Sequence, residues 1–599
     1  MYRISILFLL CVTLLSCLSS NPKPTKTELK EASEKGSNYL FGNGVRINYE
    51  TAAKWYKKAV KGGDSISETN LGYMYTSGKG VEKNIKKAFE LYKKAAEKGD
   101  KVAIHNLGLF YMYGREHIKI DYKKAFEYFQ KSSGKGYVNS TYLAGLLYFY
   151  GSGVSKDYEK AYIAFKKAAE KGEMRSLRMI GVIYEYGYGK KINLKKAVDF
   201  YKKAAVKGHS RAQYNLANMY YYGTGVTKDY EEAVKWYNES AESNWPQAVE
   251  MMAYFYERGQ LIDKDYKKAL LLYEKAGIEG ETFSQFRLGR MYYLGRGVKV
   301  NYRIAFIWFE KASKSGNSYA QSYLAYMYET GLSVKMDLKK AKYWYKKSSD
   351  KEADSARRLG RILLVEKDYG KALNWFKRGE EKGDLSSSTW IGRIFYEGLG
   401  VEKSYRKAAT YFEKAGKKGE PVALFLLGVM YGEGQHFTKD HRKANEYYEI
   451  AAEKGDLDSM FNLGLNYLNG TGTDTDIKKG MTYLKKAAAK GYHSAIYQLG
   501  LIYFIGKKVE QDYEKAAVYF ENSAIKGNSG GQYYIGLMYS YGYGKQKSNI
   551  YAYAWFNIAA ANLIEAAYQR RNESAKALTI DELLKAQKLT QYLIKKYNL

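Results

Sequence analysis

Apolar and small residues recur along this chain at helical spacing, in blocks that share one period. In one block Leu71 and Tyr75, then Ala88, Leu91, Tyr92 and Ala95, fall at separations of three and four, with Lys86-Lys87 and Lys93-Lys94 filling the other phases. That pattern predicts two amphipathic helices, and Gly78-Lys79-Gly80-Val81 between them predicts a turn. A small residue marks one phase of the first helix: Gly36, Gly72, Gly108, Gly145, Gly181, Ala217, Ala253, Gly289, Ala325, Gly360, Gly392, Gly428, Gly464, Gly500 and Gly536. Successive steps are 36 or 37 residues, except for one of 35 and one of 32. About fifteen helix-turn-helix units follow, each too small to bury its apolar face alone and so expected to stack on its neighbours.

Start and stop signals carry the same period. Asn48, Asn84, Asp121, Asp157, Asn193, Asp229, Asp265, Asn301, Asp337, Asp368, Ser404, Asp440, Asp476, Asp512 and Ser548 stand where each second helix begins, and all are side chains that accept from free first-turn N–H groups. These acids are therefore read as caps, not as catalysts. Each second helix ends at a glycine such as Gly63, Gly99 or Gly172, or at Asn244, where a left-handed residue is wanted; Glu352 and Leu563 depart from that rule. Pro246 and Pro421 share one phase, which marks the start of the first helix. A glycine inside that helix costs propensity, and close approach of a neighbouring helix would offset the cost. Around Gly360 the Gly-x-Gly-Val turn is missing, and a local change of curvature is expected there.

Composition changes this picture little. The 599 residues carry 97 Lys and Arg against 63 Asp and Glu, a formal charge of +34, which suits an anionic partner. Most lysines, however, lie on one phase (Lys57-Lys58, Lys93-Lys94, Lys202-Lys203) as a solvated helix face requires. Gly-x-Gly-Val recurs in most units, so it reads as an inter-helix turn and not as a phosphate loop. The six histidines lack metal-site spacing, and the pairs Trp55-Tyr56, Trp236-Tyr237, Trp308-Phe309, Trp344-Tyr345 and Trp375-Phe376 read as core packing. No catalytic constellation stands out, and neither enzyme activity, a cofactor nor a metal is expected.

Both cysteines, Cys11 and Cys17, precede residue 20, so the body holds no thiol. Arg3 followed by the apolar run Ile4 to Leu15 has the proportions of a signal-peptide core, too short for an ordinary membrane span. Leu14-Leu15-Ser16-Cys17 resembles the lipobox of bacterial lipoproteins. That resemblance implies cleavage before Cys17 and its acylation, giving a lipid anchor in the cell envelope; cleavage near Ser19 or Ser20 would instead release a soluble exported protein. The expected organisation is a signal peptide over 1–16, a lipidated tether over 17–30, a repeat body over 31–562 and a helical cap over 563–599.

Taken together, Leu-Gly-x-x-Tyr, Gly-x-Gly-Val, Asp-Tyr-x-x-Ala and Lys-Ala-Ala-x-x-Gly resemble the Sel-one-like repeat, a relative of the tetratricopeptide repeat. The tail, with Ala554-Trp555-Phe556-Asn557-Ile558 and Leu578-Thr579-Ile580-Asp581-Glu582, is similar to the terminal helices of that family. The resemblance implies an all-α fold, a right-handed α/α superhelical solenoid closed by a C-terminal helical cap, acting as an adaptor for other proteins. Some cysteine-rich members bind or hydrolyse β-lactams, but the paired cysteines of those members are missing here. The same resemblance places phases −6, −3, +1 and +4 from the small residue on a concave groove. Those phases hold Arg175, Arg178, Arg211, Tyr214, Asn218 and Tyr221, then Arg290, Arg357, Arg361 and Arg393, and toward the C-terminus Phe425, Val429, Phe461, Leu465, Tyr497 and Leu501. An arginine-rich groove for an acidic protein partner is expected. A polyanion- or carbohydrate-binding surface is the competing reading, with export arguing against nucleic acid.

Overall fold

The computed structural model describes residues 25–599. Cys17, the signal peptide and most of the expected tether lie outside the described residues. Helices dominate from Lys26 to Tyr597, and no strand occurs among the described residues beyond an isolated bridge between Arg115 and Ile118. Two compact units divide the chain between Asn301 and Tyr302. Each unit is a run of antiparallel helix pairs, most helices being thirteen residues long, as in Val138–Tyr150 followed by Tyr158–Glu170.

Local chemistry explains the boundaries. Asn48, Asp157, Asp337 and Asp512 each accept from the backbone N–H three residues on, at 2.9 Å. First helices use their own caps: Asp64, Asp100 and Asp456 accept in the same way at 2.7–2.8 Å. Pro246 and Pro421 are the first residues of their helices. The stop positions adopt the left-handed conformation, as at Gly63 (φ 76°), Asn244 (φ 59°) and even Leu563 (φ 64°), while Glu352 leaves it.

One boundary differs from the sequence reading. Residues 26–30 are helical and not tether, because Thr25 and Glu28 form a capping box, with the Glu28 N–H donating to Thr25 Oγ1 and the Thr25 N–H to Glu28 Oε2. A second such box, Thr579 with Glu582, opens the last helix, Ile580–Tyr597.

The core of most pairs sits between the small residue of the first helix and an aromatic ring of the second, Leu484 taking the place of the ring opposite Gly464. A methyl placed on Gly181 would meet the Tyr201 ring at 2.5 Å, and one on Gly392 the Phe412 ring at 2.4 Å. The ring fills the space a side chain would need, which is the close approach expected from the helical glycines. Of the Trp-aromatic pairs, Tyr56, Tyr237, Phe309, Tyr345 and Phe376 are the fully buried members; Trp236 and Trp308 are buried and Trp55, Trp344 and Trp375 half-buried beside them. Between pairs, lysine tethers recur. Lys98 donates to the Gly63 carbonyl at 3.0 Å and pairs with buried Glu68 at 2.6 Å, and Lys382 donates to the Asp350 carbonyl at 2.6 Å. An ammonium at a helix C-terminus offsets the partial negative charge there, so part of the basic surplus is built into the stacking.

At the irregular unit, helix Ala353–Val365 passes to Tyr369–Glu381 through Glu366, Lys367 and Asp368 alone, with Lys367 left-handed at φ 62°. A side chain in that conformation costs about 1 kcal/mol relative to glycine. Lys367→Gly is expected to slow amide hydrogen exchange in both helices; faster exchange would mean that the Lys367 side chain itself holds the turn.

Candidate functional site

Successive repeats carry residues of one phase in rows across the first helices. In the unit before Asn301 the relevant helices are Val138–Tyr150, Met174–Tyr186, Ser210–Tyr222 and Pro246–Arg258. Contacts run between their N-terminal halves. Arg175 Nη2 donates to Asn139 Oδ1 at 2.9 Å, its guanidinium lies 4.4 Å from the Tyr142 ring centre, and Glu173 pairs with its Nε. Arg211 extends over the Trp245 ring at 5.5 Å.

Arg178 lies in the middle of this group and is only 8% exposed. No carboxylate pairs with it among the described residues; its recorded hydrogen bond runs to the Met179 thioether at 2.9 Å. Burial, and then the Arg211 charge, push the Arg178 guanidinium below its ordinary pKa, with the Tyr142, Tyr201 and Tyr150 hydroxyls acting in the opposite sense. His209, which caps helix Ser210–Tyr222 by accepting from the Ala212 N–H, is pushed down by burial and by Arg178. Further along the row, burial and Arg175 push His105 down to about 4, and its Nδ1 shares a 2.8 Å hydrogen bond with Ser140. Both imidazoles are neutral near pH 7, so the arginines supply the charge.

The remaining groove candidates separate into different jobs. Asn218 accepts from the Tyr237 hydroxyl at 2.5 Å, and Tyr214 and Tyr221 pack edge-on against the Tyr237 ring. Arg290 is half-buried on helix Thr282–Leu294. In the unit from Tyr302 onward the arginines are largely neutralised. Arg357 pairs with Asp354 and, at 3.3 Å, with Asp384; Arg393 reaches Glu397 at 4.0 Å; Arg361 and Arg393 both lie over Trp390, at 5.8 and 5.0 Å. Farther on, Leu465 and Leu501 line a cavity of about 200 Å³ with Leu468, Ile502 and Ile505, while Phe461 and Tyr497 pack against Tyr492 and Phe520.

One set of residues escaped the sequence reading. Tyr201, Tyr273 and Tyr345, in the second helices, donate their hydroxyls to Glu185, Glu257 and Glu329 of the paired first helices. Glu257 also meets Arg287 at 3.4 Å and Arg296 at 3.3 Å. The signal was present: an acid stands four residues after the small residue where the facing ring is one of these tyrosines, whereas Met112, Phe149 and Phe504 stand there opposite Phe129, Phe165 and Phe520.

The family described as Sel1 repeat matches this chain in fifteen successive segments, the first over residues 36–64 and the last over 529–562. The chain belongs to the Sel1 repeat family. Among solved structures it is similar to the protective antigen c5321 of uropathogenic Escherichia coli, at 29% identity over 85% of this chain and 95% of that one, with a TM-score of 0.45. A Sel1 repeat protein from Oxalobacter formigenes is 32% identical over 41% of this chain and 96% of its own, with a TM-score of 0.38. No curated protein matches the chain. The fifteen Sel1 repeats account for the helix pairs, and their shared residues are the caps, stops and small residues already described. What differs from repeat to repeat is the row of first-helix side chains.

Proposed function

We propose that this Sel1 repeat protein is a non-catalytic scaffold of the cell envelope, which binds other proteins along its first-helix face and is held to a membrane by a lipid on Cys17. The observation that carries the binding role is the division of labour among residues. Repeated positions are used up in caps, turns and helix packing, whereas the N-terminal halves of the first helices present a different set of polar groups in each repeat, including the arginines at 175, 178 and 211. Rows of that kind give a partner many side chains to read along stacked repeats. No group of three or more His, Cys, Asp or Glu that could hold a metal occurs among the described residues, and no described helix is long and apolar enough to cross a membrane.

Crosslinking in intact cells followed by purification of the tagged full chain tests the scaffold: defined protein partners are expected, and recovery of the chain alone would sink the reading. The anchor has its own test. Cys17→Ser is expected to abolish incorporation of labelled fatty acid and to move the protein from the membrane to the soluble fraction; unchanged membrane partition would remove the anchor from the proposal. Several acyl chains on one residue hold a protein durably where one is marginal, so the change in partition is expected to be near complete.

A further inference from the structure

The group around Arg178 supports a sharper statement that rests on the scaffold reading. A guanidinium that is 8% exposed has given up most of its hydration, and such a charge is retained at a cost unless a carboxylate or phosphate compensates it. Two other arginines withdrawn from solvent have that compensation: Arg287 has Glu257, and Arg357 has Asp354 and Asp384. Arg178 has a thioether and, nearby, the charge of Arg211. Stacking on Tyr142 and Trp245 steadies Arg175 and Arg211 beside it. Three guanidiniums stand against Glu173, which pairs with Arg175, and Glu185, which is held by the Tyr201 hydroxyl, and leave a net positive charge at the N-terminal ends of two adjacent first helices.

We infer that Arg175, Arg178 and Arg211 form an anion subsite that takes one or two carboxylates of an acidic peptide segment of a protein partner. The extent of the patch decides between a peptide and a polyanion. Along the −3 row its neighbours are Tyr142 and neutral His105 on one side and Tyr214 and Glu250 on the other; along the −6 row they are Asn139 and Gln247. Gln247 is itself engaged by Glu281 at 2.8 Å, so acidic groups close that end. A nucleic acid or other long polyanion needs a basic track that continues along the strand, whereas two repeats of charge suit a short acidic segment. The planar fork of each guanidinium can hold a carboxylate through two parallel N–H donors. Aromatic rings at Tyr142, Tyr214 and Trp245 border the arginines and would cover apolar residues that flank the acid.

The test uses the purified full chain and a fluorescein-labelled decapeptide of alternating Glu and Leu, with a Gln-for-Glu peptide and a twelve-nucleotide single-stranded DNA as comparators. Polarisation is expected to show binding of the Glu peptide only. Arg178→Met and Arg211→Glu are each expected to weaken it by about tenfold or more. Removing an uncompensated buried charge predicts that Arg178→Met melts no lower than the parent, which a structural arginine would not allow. Absence of peptide binding up to about 1 mM, full binding by both variants, a lower melting temperature for Arg178→Met, or competition by the DNA with the same arginine dependence would each overturn the subsite. Equal capture of crosslinked partners by the parent and by Arg178→Met would overturn it while leaving the scaffold in place; peptide binding that depends on Arg178 with no partner captured would do the reverse.

Discussion

Replacing Gly153 with alanine is expected to destabilise the contact between two consecutive repeats by about 3 kcal/mol or more, while the same change at Gly172 should cost about 1 kcal/mol. Both residues are left-handed, with φ of 71° and 87°, so the backbone penalty for a side chain is the same in kind. They differ in what surrounds them. A methyl on Gly172 meets nothing within 4 Å, whereas one on Gly153 would lie 2.2 Å from the carbonyl carbon of Tyr122 and 2.4 Å from the Lys123 nitrogen. Those are backbone atoms at the start of the preceding second helix, Tyr122–Gly134, and they can move away only if that helix moves. The same seating recurs where Gly80 meets Tyr49 and Gly544 meets Tyr513, so the second glycine of the Gly-x-Gly turn sets how closely one repeat sits on the last. Leu261 shows what accompanies its replacement: it holds the left-handed φ of 69°, and together with Tyr230, the first residue of the preceding second helix, it borders a cavity of about 700 Å³. Hydrogen exchange in helices Tyr122–Gly134 and Val138–Tyr150 reads the effect directly. Equal protection in the two variants would mean that the turn glycines serve conformation alone.

How much of this was legible in the sequence depends on how far the chemistry reaches. Caps and stops are written within four residues of the backbone groups they satisfy, so Asn48, Asp157 and Gly63 could be read from residue type and spacing. The Thr25 capping box was equally local, but it stood among the Pro, Ser and Lys that suggested a tether. The helical glycines foretold a close neighbour without saying that it would be an aromatic ring of the same repeat. Groove positions were harder, because charge in a row is decided by partners a repeat away: Arg357 has the expected phase, yet Asp384 of the next first helix neutralises it. Asn218 and Tyr221 likewise had a plausible phase but are engaged by Tyr237 and the rings around it. Arg178 could be placed on the face from its phase; that it is buried without an acid depends on which rotamers its neighbours take, and spacing does not record that.

Glu257→Ala should be among the most damaging single changes away from the turns, at about 3–5 kcal/mol. Glu257 is 4% exposed; its carboxylate accepts from the Tyr273 hydroxyl at 3.0 Å and from Arg296 at 3.3 Å, and pairs with Arg287 at 3.4 Å. Removing it strands Arg287, whose side chain is only 11% exposed, and leaves the Tyr273 phenol buried without its acceptor, so two desolvated groups lose compensation at once. Tyr273→Phe is expected to cost only about 1 kcal/mol, because the two arginines still satisfy Glu257. Burial, and then the charge of Glu257, hold the Tyr273 phenol above its ordinary pKa, so the hydroxyl stays protonated as the donor through the neutral range. Combining Glu257→Leu with Arg287→Met replaces the pair by apolar side chains and should recover much of the loss, since an apolar pair pays no desolvation cost. Thermal melts of the three variants beside the parent distinguish a buried network from a surface ion pair. If Glu257→Ala costs no more than Tyr273→Phe, the arginines are hydrated in solution and the network contributes little.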